Sequence, residues 1–211
     1  MSQQIVIFDM DGTLIDSARD ITSSINYVRS KLSLPPLTTQ AVVDAINSDH
    51  RNLAKIFYDK EVYASEDRDA FEEHYYDECI KNVYLYPQID ELLITLKSHK
   101  VACSVATNAP STFAKRMLSH LNVDHHFDYM LGADTHQSKP DPHMLNTILS
   151  NYCYDNTKDP KPLMVGDNQK DLQAGMNAGI ESIYVTWGFA TLDQEKSIDT
   201  PLELLKHLNI K

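Results

Sequence analysis

Two aspartates stand one residue apart near the start of the chain, in the segment IVIFDMDGT. The pair, Asp9 and Asp11, follows a short apolar run and precedes a glycine and a threonine. In an extended segment, residues two apart point to the same side, so both carboxylates should face one site while Met10 turns away. Carboxylates held this close share either a proton or a cation. The spacing therefore predicts one of these two arrangements just past the apolar run.

Further polar residues follow three later apolar runs, VACSVAT, YMLGAD and PLMVGD, which are typical of buried strands. They are Thr107, Asn108, Lys139, Asp167 and Asp171. In open α/β sheets, ligands bind beyond the carboxyl ends of the strands. We therefore expect these side chains to share one site with Asp9 and Asp11.

The acids of this set form a candidate metal site. Asp167 adds a third carboxylate to Asp9 and Asp11. Three oxygen ligands with room for water suit Mg²⁺, which favours carboxylates together with a substrate phosphate. An EF-hand calcium loop is excluded, because its glycine belongs at the sixth position of the loop, whereas Gly12 is the fourth residue counted from Asp9.

The neutral and basic groups of the set suit a phosphate. Gly12 permits a tight turn and exposes backbone N–H groups that hold an anion. Thr13, Thr107 and Asn108 offer neutral hydrogen bonds, and Lys139 offers a positive charge. A hard cation, a lysine and hydroxyls around one carboxylate make a phosphoryl-transfer site. One aspartate can attack phosphorus, and the other can exchange a proton with the leaving alcohol and with water.

Apolar segments alternate with helical patterns over much of the chain. Short apolar segments predict buried strands over residues 5–8, 101–107, 129–134, 162–167 and 182–186. Helical patterns are found over residues 87–99, 110–121, 142–152, 168–178 and 201–208. This alternation predicts an α/β domain with a parallel sheet.

The stretch between the first strand and residue 87 carries helical patterns without strand patterns. An apolar face at helical spacing runs from Ile21 to Leu32, and Ser17 with Asp20 resembles a capping box at its start. Further helices are predicted over residues 38–46, 51–60 and 66–82. We therefore expect an all-helical insert over 17–83 within a core domain formed by 1–16 and 84–211.

Composition narrows the classes of function. The 211 residues carry a net charge of −11 and no cluster of lysine or arginine, so we expect no nucleic-acid partner. No apolar run reaches the roughly 18 residues of a membrane span, and the N-terminus lacks the basic and small-residue features of a signal peptide. We expect a cytoplasmic protein without a membrane partner.

The acidic residues are unevenly distributed along the chain. Residues 44–80 hold 11 acidic and 4 basic residues, which gives this stretch a net charge of −7. A solvated helix face is the favoured interpretation, and a recognition surface for a basic partner is the alternative.

The cysteines do not suggest a disulfide framework. Cys79, Cys103 and Cys153 are odd in number and show no C-x-x-C spacing. Because Cys103 lies in an apolar run, we expect it to be a small core residue, with a catalytic thiol as the alternative.

Four segments of the chain resemble, in order and in spacing, the four motifs of the haloacid dehalogenase superfamily of phosphatases. DMDGT is similar to the first motif, Thr107 in VATN to the second, Lys139 in KPDP to the third and GDNQKD to the fourth. The helical insert lies where the family has its smaller cap domain. The segments DNQKDLQAGMNAG and VTWGF are most similar to the phosphoglycolate phosphatase branch.

The resemblance implies roles for the acids. Asp9 would be the nucleophile and Asp11 the general acid and base, with Mg²⁺ on Asp9, Asp167 and the backbone carbonyl of Asp11. The acid at position 11 points to phosphate chemistry, because the dehalogenases of the superfamily lack an acid there.

The resemblance also implies phosphate contacts and a fold. Thr107 and Lys139 would bind the phosphate, and Asp171 would support Lys139 or the metal. The core would be a Rossmann-like, doubly wound sheet with its five strands in the order 5-4-1-2-3. A helical cap would cover the site. Apart from the resemblance, His50 and Arg51 are candidate substrate contacts in this cap, because a guanidinium can bind a carboxylate or a second phosphate of the substrate. An exposed arginine at the start of a helix is the alternative for Arg51.

The combined interpretation is a Mg²⁺-dependent phosphatase that acts on a small phosphorylated metabolite, such as phosphoglycolate or a sugar phosphate, through an aspartyl-phosphate. The segment AINSDHRNLAKIF lacks the glycines found at the matching loop of many phosphoglycolate phosphatases, so the substrate stays open. One alternative is a phosphosugar mutase of the same family. The other is a phosphate-binding or interaction module without turnover.

Overall fold

Four consecutive apolar residues form a central strand of a parallel sheet in the computed structural model of the chain. The structure describes residues 3–48, 52–157, 159–189, 194 and 196–210. Its strands, in chain order, are β1 Ile5–Phe8, β2 Ile15–Asp16, β3 Tyr84–Leu85, β4 Ala102–Thr107, β5 Tyr129–Gly132, β6 Leu163–Gly166, β7 Glu181–Val185 and β8 Ser197–Ile198. In the described part of the chain, six strands pair in the order β5-β4-β1-β6-β7-β8, and β2 pairs with β3.

The predicted fold class is confirmed. The strands expected from the sequence are β1, β4, β5, β6 and β7, and they pair in parallel in the expected order. The sheet is one strand wider than expected, because β8 pairs with the outer side of β7. The sequence does not predict β8, because two residues are too few to show a strand pattern.

Parallel pairing brings the carboxyl ends of the central strands to one edge of the sheet. Phe8, the last residue of β1, lies opposite Val105 of β4 and Val165 of β6. The main-chain N–H of Asp9 donates to the carbonyl of Val165 over 2.8 Å. The first residue past β1 is therefore held beside β6, where Asp167 follows.

The helices, in chain order, are α1 Ala18–Lys31, α2 Thr39–Asn47, α3 Leu53–Tyr58, α4 Ser65–Glu78, α5 Ile89–Ser98, α6 Ser111–His120, α7 His143–Asn151, α8 Gln169–Asn177 and α9 Glu203–His207. Every helical stretch predicted from the sequence overlaps one of them. Among the described residues, no helix combines the length and the apolar character that crossing a membrane would require.

Alternate residues of β1 face opposite sides of the sheet. Ile7 packs in one apolar cluster with Ile148 of α7 and Ala174 of α8. Phe8 contacts the ring of Phe127 edge to face, with 6.4 Å between the ring centroids. Because β1 is covered on both faces, its sequence is apolar without alternation.

The chain divides into two units. One comprises Met1–Ile15 and Leu85–Lys211, and the other, called the helical unit here, comprises Asp16–Tyr84. The buried apolar cluster of the helical unit consists of Ile25, Val28, Val42, Ala45, Phe57 and Tyr58. These residues come from α1, α2 and α3, so helices distant in sequence are joined by one core.

The capping box predicted at the start of α1 is wrong. The Ser17 side chain makes no capping hydrogen bond. Asp16 accepts from the N–H of Ala18 over 3.0 Å instead. Asp20 is buried, and its carboxylate accepts from the main-chain N–H of Asn82 at 3.0 Å and from its side-chain amide at 2.8 Å. Asp20 therefore joins α1 to the segment after α4, a long-range contact that local sequence does not reveal.

Most of the acidic side chains of α4 are exposed, as the solvated-face interpretation predicts. Glu66, Glu72, Glu73 and Asp77 all lie on its surface. Asp67 is buried and forms an ion pair with Lys60, and Glu78 is half-buried and pairs with Lys81.

Cys103 behaves as the core residue expected from its sequence context. It lies in β4 with 3% of its surface exposed. Burial, with a contribution from the Asp128 carboxylate, raises the pKa of the Cys103 thiol to about 12. A thiol that stays protonated at neutral pH is a poor nucleophile, so the geometry does not favour a catalytic thiol.

Arg29 is a buried charge that links separate segments of the helical unit. Its Nε donates to the carbonyl of Pro35 over 2.7 Å, and its Nη1 donates to those of Phe57 at 2.5 Å and Ile56 at 3.3 Å. Buried carbonyls that lose their donor carry the full cost of desolvation. Arg29 therefore ties α1 to the end of α3.

We expect Arg29→Met to lower the free energy of unfolding by about 3 kcal/mol, because it leaves these carbonyls without a charged donor. Arg19→Met, at an exposed position of the same helix, is the matched control. It should change the free energy of unfolding by less than about 0.5 kcal/mol. Urea unfolding of both variants measures the difference. Equal small effects would contradict a linking role for Arg29.

Candidate active site

Asp9 is followed by a tight turn that ends at Ile15. The carbonyl of Met10 accepts from the N–H groups of Leu14 at 2.9 Å and Ile15 at 3.1 Å. Gly12 has φ of +86°, which glycine adopts without steric cost. The turn predicted at Gly12 is therefore present, and it reverses the chain directly after the two aspartates.

The N–H of Gly12 has a partner within its own turn. It donates to the carbonyl of Ile15 over 2.9 Å and thereby closes the turn. This bond does not favour the phosphate contact predicted for Gly12, which stays a prediction. A different constraint is visible, because a Cβ built on Gly12 would lie only 2.7 Å from Cγ of Asp167. Glycine is thus needed here for a close approach to an acid.

Lys139 is the centre of the site. It is 3% exposed, and its Nζ lies 2.5 Å from Oδ1 of Asp9 and 2.6 Å from Oδ1 of Asp171. The structure therefore brings together one residue after β1, one after β5 and one in the first turn of α8. The sequence patterns predict all three residues in one site.

Asn108 holds the backbone of Lys139. Its side-chain carbonyl accepts from the N–H of Lys139 over 2.8 Å, and its amide donates to the carbonyl of Lys139 over 3.0 Å. The amide predicted to contact phosphate thus makes a two-point contact with the main chain. This geometry gives Asn108 a positioning role, whereas its phosphate contact stays a prediction.

Burial and charge act in opposite directions on the ion pairs of Lys139. Burial alone would lower the pKa of Lys139, but the carboxylates of Asp171 and Asp9 outweigh it and raise that pKa. Burial and the negative charges of Asp171 and Asp167 hold the pKa of Asp9 well above its usual value, although Lys139 opposes them. The carboxylate of Asp9 is therefore poorly solvated and high in free energy when ionised.

Three buried carboxylates lie close enough to hold one cation. Asp9, Asp167 and Asp171 each offer an oxygen, and these oxygens lie within 4.8 Å of one another. Oδ1 of Asp171 already pairs with Lys139, and its Oδ2 accepts from the N–H of Asn168 at 3.0 Å. These bonds favour a supporting role for Asp171, and the family resemblance names Asp9 and Asp167 as the metal ligands. Buried carboxylate oxygens are the donors that Mg²⁺ prefers, so the residues fit this ion.

Two threonines at the site have identifiable partners. Thr13 Oγ1 donates to Oδ1 of Asp167 over 3.4 Å. Thr107 is buried at the end of β4, and its Oγ1 accepts from the N–H of Ala109 over 3.0 Å. Because a hydroxyl donates as well as accepts, Thr107 can still offer its hydrogen to a phosphate oxygen.

Asp11 differs from its neighbouring acid in exposure. Asp9 is buried, whereas Asp11 is partly exposed on the turn. A group that exchanges protons with a substrate and with water needs such access, whereas a nucleophile benefits from weak solvation. The difference matches the two roles that the resemblance implies for the pair.

The other candidates of the sequence analysis, His50 and Arg51, lie outside the described residues. Conversely, the structure shows site contacts that sequence analysis did not predict. Phe189 donates its N–H to Oδ2 of Asp167 over 2.7 Å, and Trp187 Nε1 donates to the carbonyl of Thr13 over 3.0 Å. The segment VTWGF was noted only for its family resemblance, and its glycine next to aromatic residues after a strand was the available signal.

Comparison with known families and curated proteins gives consistent results. The family model described as haloacid dehalogenase-like hydrolase matches residues 6–185. The phosphoglycolate phosphatase of Aquifex aeolicus is 30% identical over 208 residues, which cover 96% of this chain and 95% of that protein. The N-acetylmuramic acid 6-phosphate phosphatase of Pseudomonas aeruginosa is 27% identical over 220 residues, which cover 99% of this chain and 96% of that protein.

Solved structures share the fold over nearly the whole chain. A crystal structure described as a predicted phosphoglycolate phosphatase from Haemophilus somnus has a TM-score of 0.84 at 25% identity and covers 99% of both chains. A candidate β-phosphoglucomutase from Thermotoga maritima has a TM-score of 0.73 at 23% identity and covers 98% of this chain and 99% of its own. The second likeness shows the fold alone.

The raised pKa of Asp9 predicts a change in stability with pH. A carboxyl whose pKa is higher in the folded protein binds more protons there, so stability falls as the pH rises from about 4 through that raised pKa. In EDTA, we expect Asp9→Asn to unfold at higher urea concentration than the wild type at pH 8. The difference should shrink towards pH 4, where Asp9 is protonated.

The exposed acid Asp59 supplies a control, because its pKa is shifted in the opposite direction to that of Asp9. Its hydrogen bond with Lys55 holds the pKa of Asp59 below its usual value, so Asp59→Asn should give no gain at pH 8. Urea titrations at several pH values compare the variants. A gain for Asp9→Asn that is the same at pH 4 and pH 8 would contradict the assignment.

Proposed function

Because the chain belongs to the haloacid dehalogenase-like hydrolases, we propose that it is a phosphatase that hydrolyses a small phosphate monoester through an aspartyl-phosphate on Asp9. The observation that carries the proposal is the buried contact of Lys139 with Asp9 and Asp171, at 2.5 and 2.6 Å. It fixes the orientation of a poorly solvated carboxylate next to a positive charge. A phosphate placed there meets both a nucleophile and a counter-charge.

In the first step, a carboxylate oxygen of Asp9 attacks phosphorus, and the bond from phosphorus to the alcohol oxygen breaks. Asp11 gives its proton to the departing oxygen, so no free alkoxide forms. Lys139 and the hydroxyl of Thr107 stabilise charge on the phosphoryl oxygens. The pairing of Lys139 with Asp171 keeps the ammonium charged at the pH of the reaction.

In the second step, water replaces the alcohol as the reaction partner. Asp11, now a carboxylate, takes a proton from the water molecule while the water oxygen attacks phosphorus. The bond between phosphorus and Asp9 then breaks, which releases inorganic phosphate and regenerates the carboxylate. The partial exposure of Asp11 supports this role, because water must reach it.

We assign Mg²⁺ as the cofactor, held by Asp9 and Asp167 and, as the family resemblance implies, by the backbone carbonyl of Asp11. Ionised Asp9, Asp167 and Asp171 with protonated Lys139 leave an excess of two negative charges in a buried cluster. A hard dication offsets this excess and reduces the repulsion between the cluster and an incoming phosphate.

Small metabolites are the proposed substrates. The names of the relatives, phosphoglycolate phosphatase and N-acetylmuramic acid 6-phosphate phosphatase, both indicate small phosphate monoesters. We propose that the helical unit serves as the family's cap, with His50 and Arg51 as substrate contacts. The cap assignment rests on the sequence resemblance, and the Arg51 contact rests on the ability of a guanidinium to bind a carboxylate or a second phosphate.

We expect Mg²⁺-dependent release of phosphate from a panel that includes phosphoglycolate, N-acetylmuramic acid 6-phosphate and common sugar phosphates. EDTA should abolish release, and Asp9→Asn should reduce it by at least about 10³-fold because the nucleophile is lost. Conversion of a sugar phosphate to its isomer without phosphate release would instead indicate the mutase alternative. Binding of a phosphate ester without any turnover would indicate the binding module.

Arg51→Ala tests the proposed substrate contact. A guanidinium that binds a second anionic group contributes about 1.5 kcal/mol, so KM for phosphoglycolate should rise about tenfold. KM for the phosphate ester of an uncharged sugar should change less, because this substrate lacks a second anionic group. Arg68→Ala, at an exposed position of the helical unit, is the control. Equal KM values for Arg51→Ala and the control would exclude the contact.

A further inference from the structure

The segment that follows β7, Thr186–Phe189, is called the β7 loop here. Phe189 donates its main-chain N–H to Oδ2 of Asp167 over 2.7 Å. The other oxygen of the same carboxylate, Oδ1, accepts from the Thr13 hydroxyl over 3.4 Å. Both oxygens of Asp167 therefore have partners from two different loops, a short bond from Phe189 and a longer one from Thr13, and together these restrict the rotation of the carboxylate.

Trp187 connects these two loops directly. Its indole Nε1 donates to the main-chain carbonyl of Thr13 over 3.0 Å. Thr13 contacts Asp167 through its hydroxyl, and Phe189 contacts Asp167 through its N–H. The contacts thus form a closed ring from Asp167 through Thr13 and Trp187 back to Asp167. A shift of the β7 loop would disturb both contacts of the carboxylate together.

Gly188 allows the close approach on which this ring depends. A Cβ at Gly188 would clash with the side chain of Asp167 and with the carbonyl oxygen of Gly12. Gly12 lies against the same carboxylate, because a Cβ added to Gly12 would lie 2.7 Å from Cγ of Asp167. Asp167 is therefore flanked by two glycines, and an added methyl group at either one would displace it.

We propose that the β7 loop positions Asp167 for Mg²⁺, with Trp187 and Gly188 as the positioning residues that set the affinity of the site for the ion. The inference rests on the proposed function, because that function assigns Mg²⁺ to Asp167. A ligand held by outer partners presents its lone pairs in a fixed direction, and loss of such partners typically weakens metal binding 10- to 100-fold. Trp187 acts through Thr13 and does not touch the reacting atoms.

Calorimetric titration of the whole chain with Mg²⁺, without substrate, tests the inference. Trp187→Phe keeps the aromatic ring and removes the N–H donor, whereas Gly188→Ala places a methyl group against Asp167. We expect both variants to bind Mg²⁺ about 10- to 100-fold more weakly than the wild type. Turnover of Trp187→Phe should recover towards the wild-type kcat at saturating Mg²⁺, because the nucleophile and Lys139 are intact.

Two control variants separate positioning from general destabilisation. Tyr152→Phe removes a hydroxyl that bonds Ser104 and Asp128 at 2.8 Å. Gly179→Ala strains a residue with φ of +71°, where nothing lies within 4 Å of the added Cβ. Both should lower Tm and leave Mg²⁺ affinity unchanged. If Trp187→Phe and Gly188→Ala behave like these controls, the inference is overturned while the proposed function stands. If the wild type binds no Mg²⁺, the metal assignment of the proposed function is wrong, and the inference is wrong with it.

The fluorescence of Trp187 gives a second readout that needs no loop variant. Trp187 is the single tryptophan of the chain, so its emission reports on the β7 loop alone. Addition of Mg²⁺ to the wild type should change the emission with the same Kd that calorimetry gives, and Asp167→Asn should abolish the change. Constant emission during measured Mg²⁺ binding would contradict the coupling between the loop and the metal ligand.

Discussion

The burial of several carboxylates at one edge of the sheet is the constraint on which the site depends. Ionised acids in such a place repel one another and lose their solvation, so they persist only with a buried counter-charge. Lys139 supplies it through contacts of 2.5 Å to Asp9 and 2.6 Å to Asp171. One ammonium cannot neutralise three acids, and the remaining negative charge makes the cluster receptive to a dication.

The topology of the sheet explains why these groups meet. β1 lies between β4 and β6, so the chain proceeds from β1 towards both edges of the sheet. Loops that follow neighbouring strands diverge at such a point and leave a crevice at the carboxyl ends. Asp9 follows β1 and Asp167 follows β6, while the loop after β5 returns Lys139 to the same crevice. Strand register and the path of the loop after β5 therefore bring functional groups from distant parts of the sequence together.

Sequence patterns predicted the strands and the acids because both signals are local. Strands of at least four apolar residues and motifs with several polar residues can be recognised without knowledge of the fold. The use of individual polar groups could not be predicted in this way. The N–H of Gly12 closes its own turn, Asn108 holds the backbone of Lys139, and Asp20 bonds Asn82 instead of capping α1. Each partner lies in a segment that only the tertiary structure brings close, or in a turn with more than one available acceptor.

The proposed phosphoryl transfer makes two demands, a reactive carboxylate and a fixed metal ligand, and the structure would meet them by opposite means. Asp9 is left poorly solvated, and its raised pKa shows that its ionised form opposes folding. Asp167 is held on both oxygens by Thr13 and Phe189, so its charge is supported by hydrogen bonds. A nucleophile gains from the bond that it forms, whereas hydrogen bonds to a metal ligand hold its lone pairs in one direction. The glycines beside Asp167 allow a carboxylate with partners on both oxygens to lie close to the poorly solvated Asp9.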